Sequence, residues 1–156
     1  MKHPLAKLIP ALLAIFMILP TSAEAQLQTS LTGGIIAPIG DFGDLYDQGY
    51  SVRGQVGLSF LLASVHAQVG VSRFSANDSA PASTGDLNVY HYGVGARAGF
   101  GLLWVGANAA YFSGDGDDGL GFFPEVGVSF LMLEAVADMR IDGDQKWYGL
   151  RAGIRF

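Results

Sequence analysis

The 156-residue chain has no cysteine, which excludes a disulfide framework and a lipid-modified cysteine at a processed N-terminus. Basic residues are few. Nine Lys and Arg stand against fourteen Asp and Glu, a formal net charge of −5, which argues against a nucleic-acid partner. Long apolar runs are missing after residue 20, and Asn108 interrupts the richest later stretch, 100–110, so no helical membrane span is encoded there. A phosphate loop, a metal-ligand cluster and a dinucleotide fingerprint are also absent, and no cofactor is expected. Yet half of the residues are hydrophobic. A chain this apolar without a spanning helix either builds a large soluble core or turns its apolar residues outward on a barrel.

The N-terminus accounts for part of the apolar content. Lys2, His3 and Lys7 make a basic start, residues 8–20 are apolar, and Ala23-Glu24-Ala25 offers a small-x-small cleavage site before Gln26. Thirteen apolar residues that include Pro10 and Pro20 are too short for a spanning helix. Residues 1–25 therefore read as an export signal and 26–156 as one domain of about 131 residues.

That domain alternates. At its end, Tyr148, Leu150, Ala152, Ile154 and Phe156 form one apolar face, while Trp147, Gly149, Arg151, Gly153 and Arg155 form the other. A period of two is the signature of a strand. Phe60, Phe100, Phe130 and Phe156 each close an alternating run, and Tyr50, Tyr90, Phe122 and Tyr148 lie eight or ten residues earlier on the same face. In tilted strands that spacing spans roughly 20–25 Å, the height of a lipid-facing band between two aromatic girdles.

Eight strands are expected, at 27–37, 50–60, 64–74, 88–100, 103–112, 121–130, 133–141 and 147–156. Tight connections (61–63, 101–102, 131–132) alternate with longer polar ones (38–49, 75–87, 113–120, 142–146). The expectation is an all-β, eight-stranded antiparallel transmembrane up-and-down β-barrel, with the short turns and both termini on the periplasmic side. The tight turns are apolar, through Leu61-Leu62, Leu102-Leu103 and Leu131-Met132, where turn chemistry favours Gly, Asn or Asp.

Residues 33–57 read GGIIAPIGDFGDLYDQGYSVRGQVG: a strand, a Gly-Asp-Phe-Gly-Asp loop and a second alternating strand. With the Phe-terminated last strand, this resembles the small outer-membrane β-barrel proteins of Gram-negative bacteria, of the OmpA and OmpX type. The resemblance covers about 27–156. It implies the cell outer membrane as location, lipopolysaccharide and other outer-membrane lipids as surroundings, and a monomer. It also implies that Tyr148, Leu150, Ala152, Ile154 and Phe156 are the strand read by the insertion machinery. It implies no single activity.

With the Phe face toward lipid, the opposite parity faces the lumen: Arg53, Gln55, His66, Gln68, His91, Arg97, Asn108, Glu125, Glu134, Asp138, Arg140, Arg151 and Arg155. An eight-stranded barrel is only wide enough for side chains to fill, so these groups are expected to pair as a plug. A final loop centred between Asp144 and Gln145 would set Glu134 opposite Arg155 and Asp138 opposite Arg151, and the turn at Leu131-Met132 sets Glu125 opposite Asp138. Arg140 and Arg151 are then expected beside the two carboxylates, with Gly127, Gly149 and Gly153 leaving room for flat guanidinium groups.

Ten acids fall in the long loops: Asp41, Asp44, Asp47, Asp78, Asp86, Asp115, Asp117, Asp118, Asp142 and Asp144. Residues 114–119 resemble a calcium loop without its closing Glu, and solvated acidic loops are the plainer reading. Arg73, at the outer end of its strand, faces outward toward anionic lipid. His91, near Asp86 and Ser83, is the one place for a catalytic constellation, and a lumen histidine is the plainer reading. The role expected is structural or in surface interaction, not enzymatic. A narrow channel or conduit for small hydrophobic molecules is the alternative, with lipid A modification a distant third. A soluble lipocalin-like barrel would instead turn the Phe face inward.

Overall fold

In the computed structural model of the protein, residues 25–81, 84–115, 118–141 and 145–156 are described, so the expected export signal lies outside them except for Ala25. Eight strands follow in chain order: β1 (Gln26–Ile39), β2 (Gly49–Ser59), β3 (Ala63–Phe74), β4 (Leu87–Phe100), β5 (Leu103–Gly114), β6 (Gly119–Phe130), β7 (Leu133–Arg140) and β8 (Lys146–Arg155). One short helix, α1 (Asp41–Leu45), sits between β1 and β2. Each strand pairs antiparallel with the next, and β1 pairs with β8 from Ser30 opposite Arg155 to Ile39 opposite Lys146. Backbone bonds between Thr29 and Phe156, at 2.9 and 2.8 Å, continue the seam. The sheet is closed, so every strand has a neighbour on each side. This is the eight-stranded up-and-down barrel that the alternation called for, with every strand end within two residues of expectation.

The wall has its apolar side out. Along β2, Ser51, Arg53 and Gln55 are buried while Val52 and Val56 are exposed. Along β8, Trp147 and Arg151 are buried while Tyr148, Leu150 and Ile154 are exposed. Leu31, Ile35, Val69, Val94, Val105 and Val126 extend the same exterior. So continuous an apolar surface suits lipid, and it is the reverse of a lipocalin-like core.

Tyr50, Tyr90, Phe122 and Tyr148 stand outside at the long-loop end, and Phe100, Phe130 and Phe156 outside at the short-turn end, Phe100 being 84% exposed. Phe60 departs from that ring. It lies one residue past β2, where its N–H bonds the Ala63 carbonyl at 2.7 Å and bends the chain, and the half-buried ring borders a cleft at the mouth. In the apolar turns Leu61 is 95% exposed. Gly101 (φ 65°) supplies the left-handed residue of the second turn, whereas in the third that conformation falls on Leu131 (φ 55°), at a cost of about 1 kcal/mol.

Two register findings position the site. Glu125 lies opposite Asp138, as the tight turn requires. Asp138, however, lies opposite Gly149 and Glu134 opposite Gly153, not opposite Arg151 and Arg155. The β7–β8 ladder is displaced by two residues, which keeps every side chain on its face. The β6–β7 ladder stops at Glu125, beside Pro124, which has no N–H to offer.

Candidate functional site

The lumen is filled in layers. At the long-loop mouth, α1 turns Phe42 into the barrel, where its ring meets Phe74 edge-on at 5.0 Å, Tyr46 at 5.0 Å and Trp147 at 6.1 Å. Phe112 packs on Phe123 at 5.0 Å and edge-on to Trp147 at 5.8 Å, with Ile36, Leu87 and Val89 completing the layer. The loop carrying Phe42 is anchored to the next one. Tyr46 bridges Ala76, the Asp47 N–H donates to Ser75 (2.9 Å), and the Asn77 N–H donates to Leu45 (3.0 Å).

Arg140, expected beside Glu125 and Asp138, lies in this aromatic layer instead. Its guanidinium sits 3.7 Å from the Phe112 ring centre and 4.9 Å from that of Trp147, and it donates to Gln145 at 3.1 Å. The aromatic layer itself was not anticipated. The signal existed: Phe74, Phe112, Phe123 and Trp147 share parity with the inward polar residues of their strands.

Below lies the charge network. Arg53 donates to Glu125 Oε2 (3.1 Å) and to Asp138 Oδ2 (2.7 Å), reaching from β2 across the lumen to β6 and β7. Arg97 donates to Glu125 Oε1 (2.8 Å), Glu134 Oε2 (3.1 Å) and Gln55 (2.7 Å). Arg151 pairs with Asp138 and donates to Ser51 at 3.4 Å. Arg155 is peripheral, 3.9 Å from Glu134. All eight charged residues assigned inward thus face the lumen, but Arg53 and Arg97 are the bridges. Hairpin reasoning could not find them, because their partners come from strands that are not neighbours.

Space for the network comes from glycine, though not as expected at every position. A β-carbon at Gly149 would run into the Asp138 carboxylate and lie 3.1 Å from Arg151. At Gly127 the space is taken by the Trp104 ring, and at Gly153 by the backbone of β1. Arg97 covers that Trp104 ring at 3.9 Å, and the indole N–H donates to Ser129 at 3.0 Å. Ser30, Gln55 and Gln68 form a chain of bonds at 2.9 and 3.3 Å, and His66 bonds Asn108 at 2.7 Å.

His91 does not belong to a catalytic set among the described residues. Its ring packs on Phe112 (5.7 Å) and Phe123 (5.8 Å), and neither nitrogen has a hydrogen-bond partner. Asp86 lies outside the wall, where it accepts from Arg73 at 2.9 Å; that bond, with the Ala76 N–H, holds its carboxyl below the usual range. Ser83 lies outside the described residues, as do Gly116 and Asp117 of the calcium-like loop, Asp142 and Asp144. Asp118 accepts from the Gly114 N–H at 3.3 Å, and no cluster of three or more His, Asp or Glu able to hold a metal occurs among the described residues.

No family model matches the sequence, and no curated protein is significantly similar to it. Among solved structures, the crystal structure of Neisserial surface protein A (NspA) superposes with a TM-score of 0.51 at 20% identity, over 84% of this chain and 97% of that one. A porin refined at 1.8 Å aligns at a TM-score of 0.34 and 14% identity, over 88% of this chain and 54% of that one, and contributes nothing to the assignment. NspA is an eight-stranded outer-membrane barrel. Strand count, closure, outward apolar wall and superposition agree: the chain has the fold of the eight-stranded outer-membrane β-barrels.

Proposed function

We propose that this chain is an integral protein of the Gram-negative outer membrane whose lumen is plugged, and that it acts as a structural element and through its outward loops. One observation carries the reading. The Arg53 fork, side chain 2% exposed, crosses the lumen to two fully buried carboxylates. Above it the aromatic layer fills the mouth under α1, and below it the space beside Gln55, His66 and Arg97 narrows to about 10 Å³, room for a single water. No step of catalysis is assigned to any residue.

The remaining parts of the reading rest on the sequence and on the outward apolar wall. Residues 1–25 act as the export signal. Tyr148, Leu150, Ala152, Ile154 and Phe156 act as the strand read by the insertion machinery. The apolar wall contacts outer-membrane lipids, and Arg73, with Asp86 beside it, stands at the level of anionic headgroups such as those of lipopolysaccharide. Asp41, Asp44, Asp47, Asp78, Asp86, Asp115 and Asp118 give the outward loops their acidic character. Every strand of the closed sheet already has two neighbours, which favours a monomer. The test is conductance in planar bilayers, with fractionation and heat-dependent gel migration to verify the folded membrane form. The expected result is outer-membrane recovery and no steady current. A steady current whose ion selectivity reverses in Arg151→Glu would replace the plug with a narrow channel.

A further inference from the structure

The short-turn end of the lumen holds an open space. A cleft of about 170 Å³ lies at the short-turn mouth, between turn 60–63 and turn 99–103, with Arg97 and Arg155 in its lining. Charge is not balanced around it. Glu125 is shared by Arg53 and Arg97, Asp138 by Arg53 and Arg151, and Glu134 Oε2 is held by Arg97 at 3.1 Å. Arg155 reaches only that same Glu134 oxygen, at 3.9 Å, beyond hydrogen-bond length, with its side chain 29% exposed. Four guanidinium groups therefore meet three carboxylates, and the surplus positive charge stands at the cleft.

The rest of the lining suits an oxyanion. Ser59, Ser64, Ser129 and Gln28 surround the space, and no Asp or Glu lines it among the described residues. Ser129 accepts the Trp104 N–H, so its own proton remains to be donated. Phe60, Leu61, Leu62 and Leu103 make an apolar rim at the level of the Phe100 and Phe130 girdle. We propose that this cleft binds a phosphate group, with Arg155 as its charge partner and the Ser64 and Ser129 hydroxyls as neutral donors. A free phosphate would use the polar floor alone. A phospholipid headgroup would also lay its glycerol and first methylenes on the apolar rim.

The experiment is calorimetric titration of the folded protein, extracted from membranes into non-ionic detergent, with inorganic phosphate and separately with dihexanoylphosphatidylglycerol. Saturable binding is expected, weakened by about tenfold in both Arg155→Gln and Ser64→Leu and unchanged in Lys146→Gln at the opposite end of the barrel. Ser64→Leu leaves every charge in place and fills the cleft, so the outcome does not rest on one variant of the terminal strand. Heat-dependent gel migration verifies that each variant is folded. Saturation by inorganic phosphate assigns a free anion; saturation by the phosphatidyl probe alone assigns a lipid headgroup. No saturation by either probe, or unchanged affinity in either folded variant, overturns the proposal and leaves the barrel and its plug standing.

Discussion

Asp138 lies opposite Gly149, and its carboxylate occupies the space where a side chain at that position would begin. Arg151, two residues on, closes over the same carboxylate from the same strand. The glycine is therefore part of the ion pair. Gly149→Val should displace Asp138 and destabilise the barrel by about 1–3 kcal/mol, the usual cost of overpacking. Urea unfolding in detergent checks this, and unchanged stability would mean that the carboxylate can move aside freely.

Asp138 also holds Arg53, at 2.7 Å. Asp138→Ala leaves two guanidinium groups without that partner in a poorly hydrated space, and a loss of about 3–5 kcal/mol is expected. Arg155→Gln should cost less than about 1 kcal/mol, because its contact with Glu134 is long and partly solvated. Equal losses in the two variants, measured by the same unfolding assay, would contradict the layering described for the network.

Phe42 closes the outer mouth from a five-residue helix and touches Phe74 and Trp147. Phe42→Ala should lower stability by about 3 kcal/mol and shift Trp147 emission to longer wavelength as water enters. Conductance should stay negligible, since the Arg53 bridge remains below. A current opened by Phe42→Ala alone would move the barrier from the charge network to the cap.

Deletion of Phe156 removes both an exposed girdle ring and the backbone bonds that join it to Thr29 across the β1–β8 seam. Outer-membrane levels should fall while export continues, with material accumulating between the membranes. Unchanged levels on fractionation would remove the terminal strand from its assigned role in insertion.

The architecture was legible because a barrel wall obeys one rule, parity, and parity survives small errors of position. The β7–β8 hairpin illustrates this. Its register is displaced by two residues from expectation, yet Glu134, Asp138, Arg151 and Arg155 all still face inward, since only an odd displacement exchanges the faces. Which inward groups touch was not legible. Arg53 and its partners are 72 and 85 residues apart on strands that never pair, and only the closed circumference brings them level. The aromatic layer was legible and was missed for another reason. Phe74, Phe112 and Phe123 have inward parity, but the inward face was considered for its polar and charged groups alone. Phe42 lies in a loop, where no period applies.

The Arg53 bridge bears on how the molecule comes into being. Its two partners lie on β6 and β7, so the contact exists only after nearly the whole chain has been threaded and the cylinder has curled. Until then the Arg53 guanidinium lacks both of its carboxylate partners. The Arg151–Asp138 pair needs only the β7–β8 hairpin, whereas the Arg53 bridge needs β2 and the β6–β7 hairpin to face each other across the lumen. Contacts of such long sequence separation make assembly slow. They also tie β2 to the β6–β7 hairpin across the finished barrel.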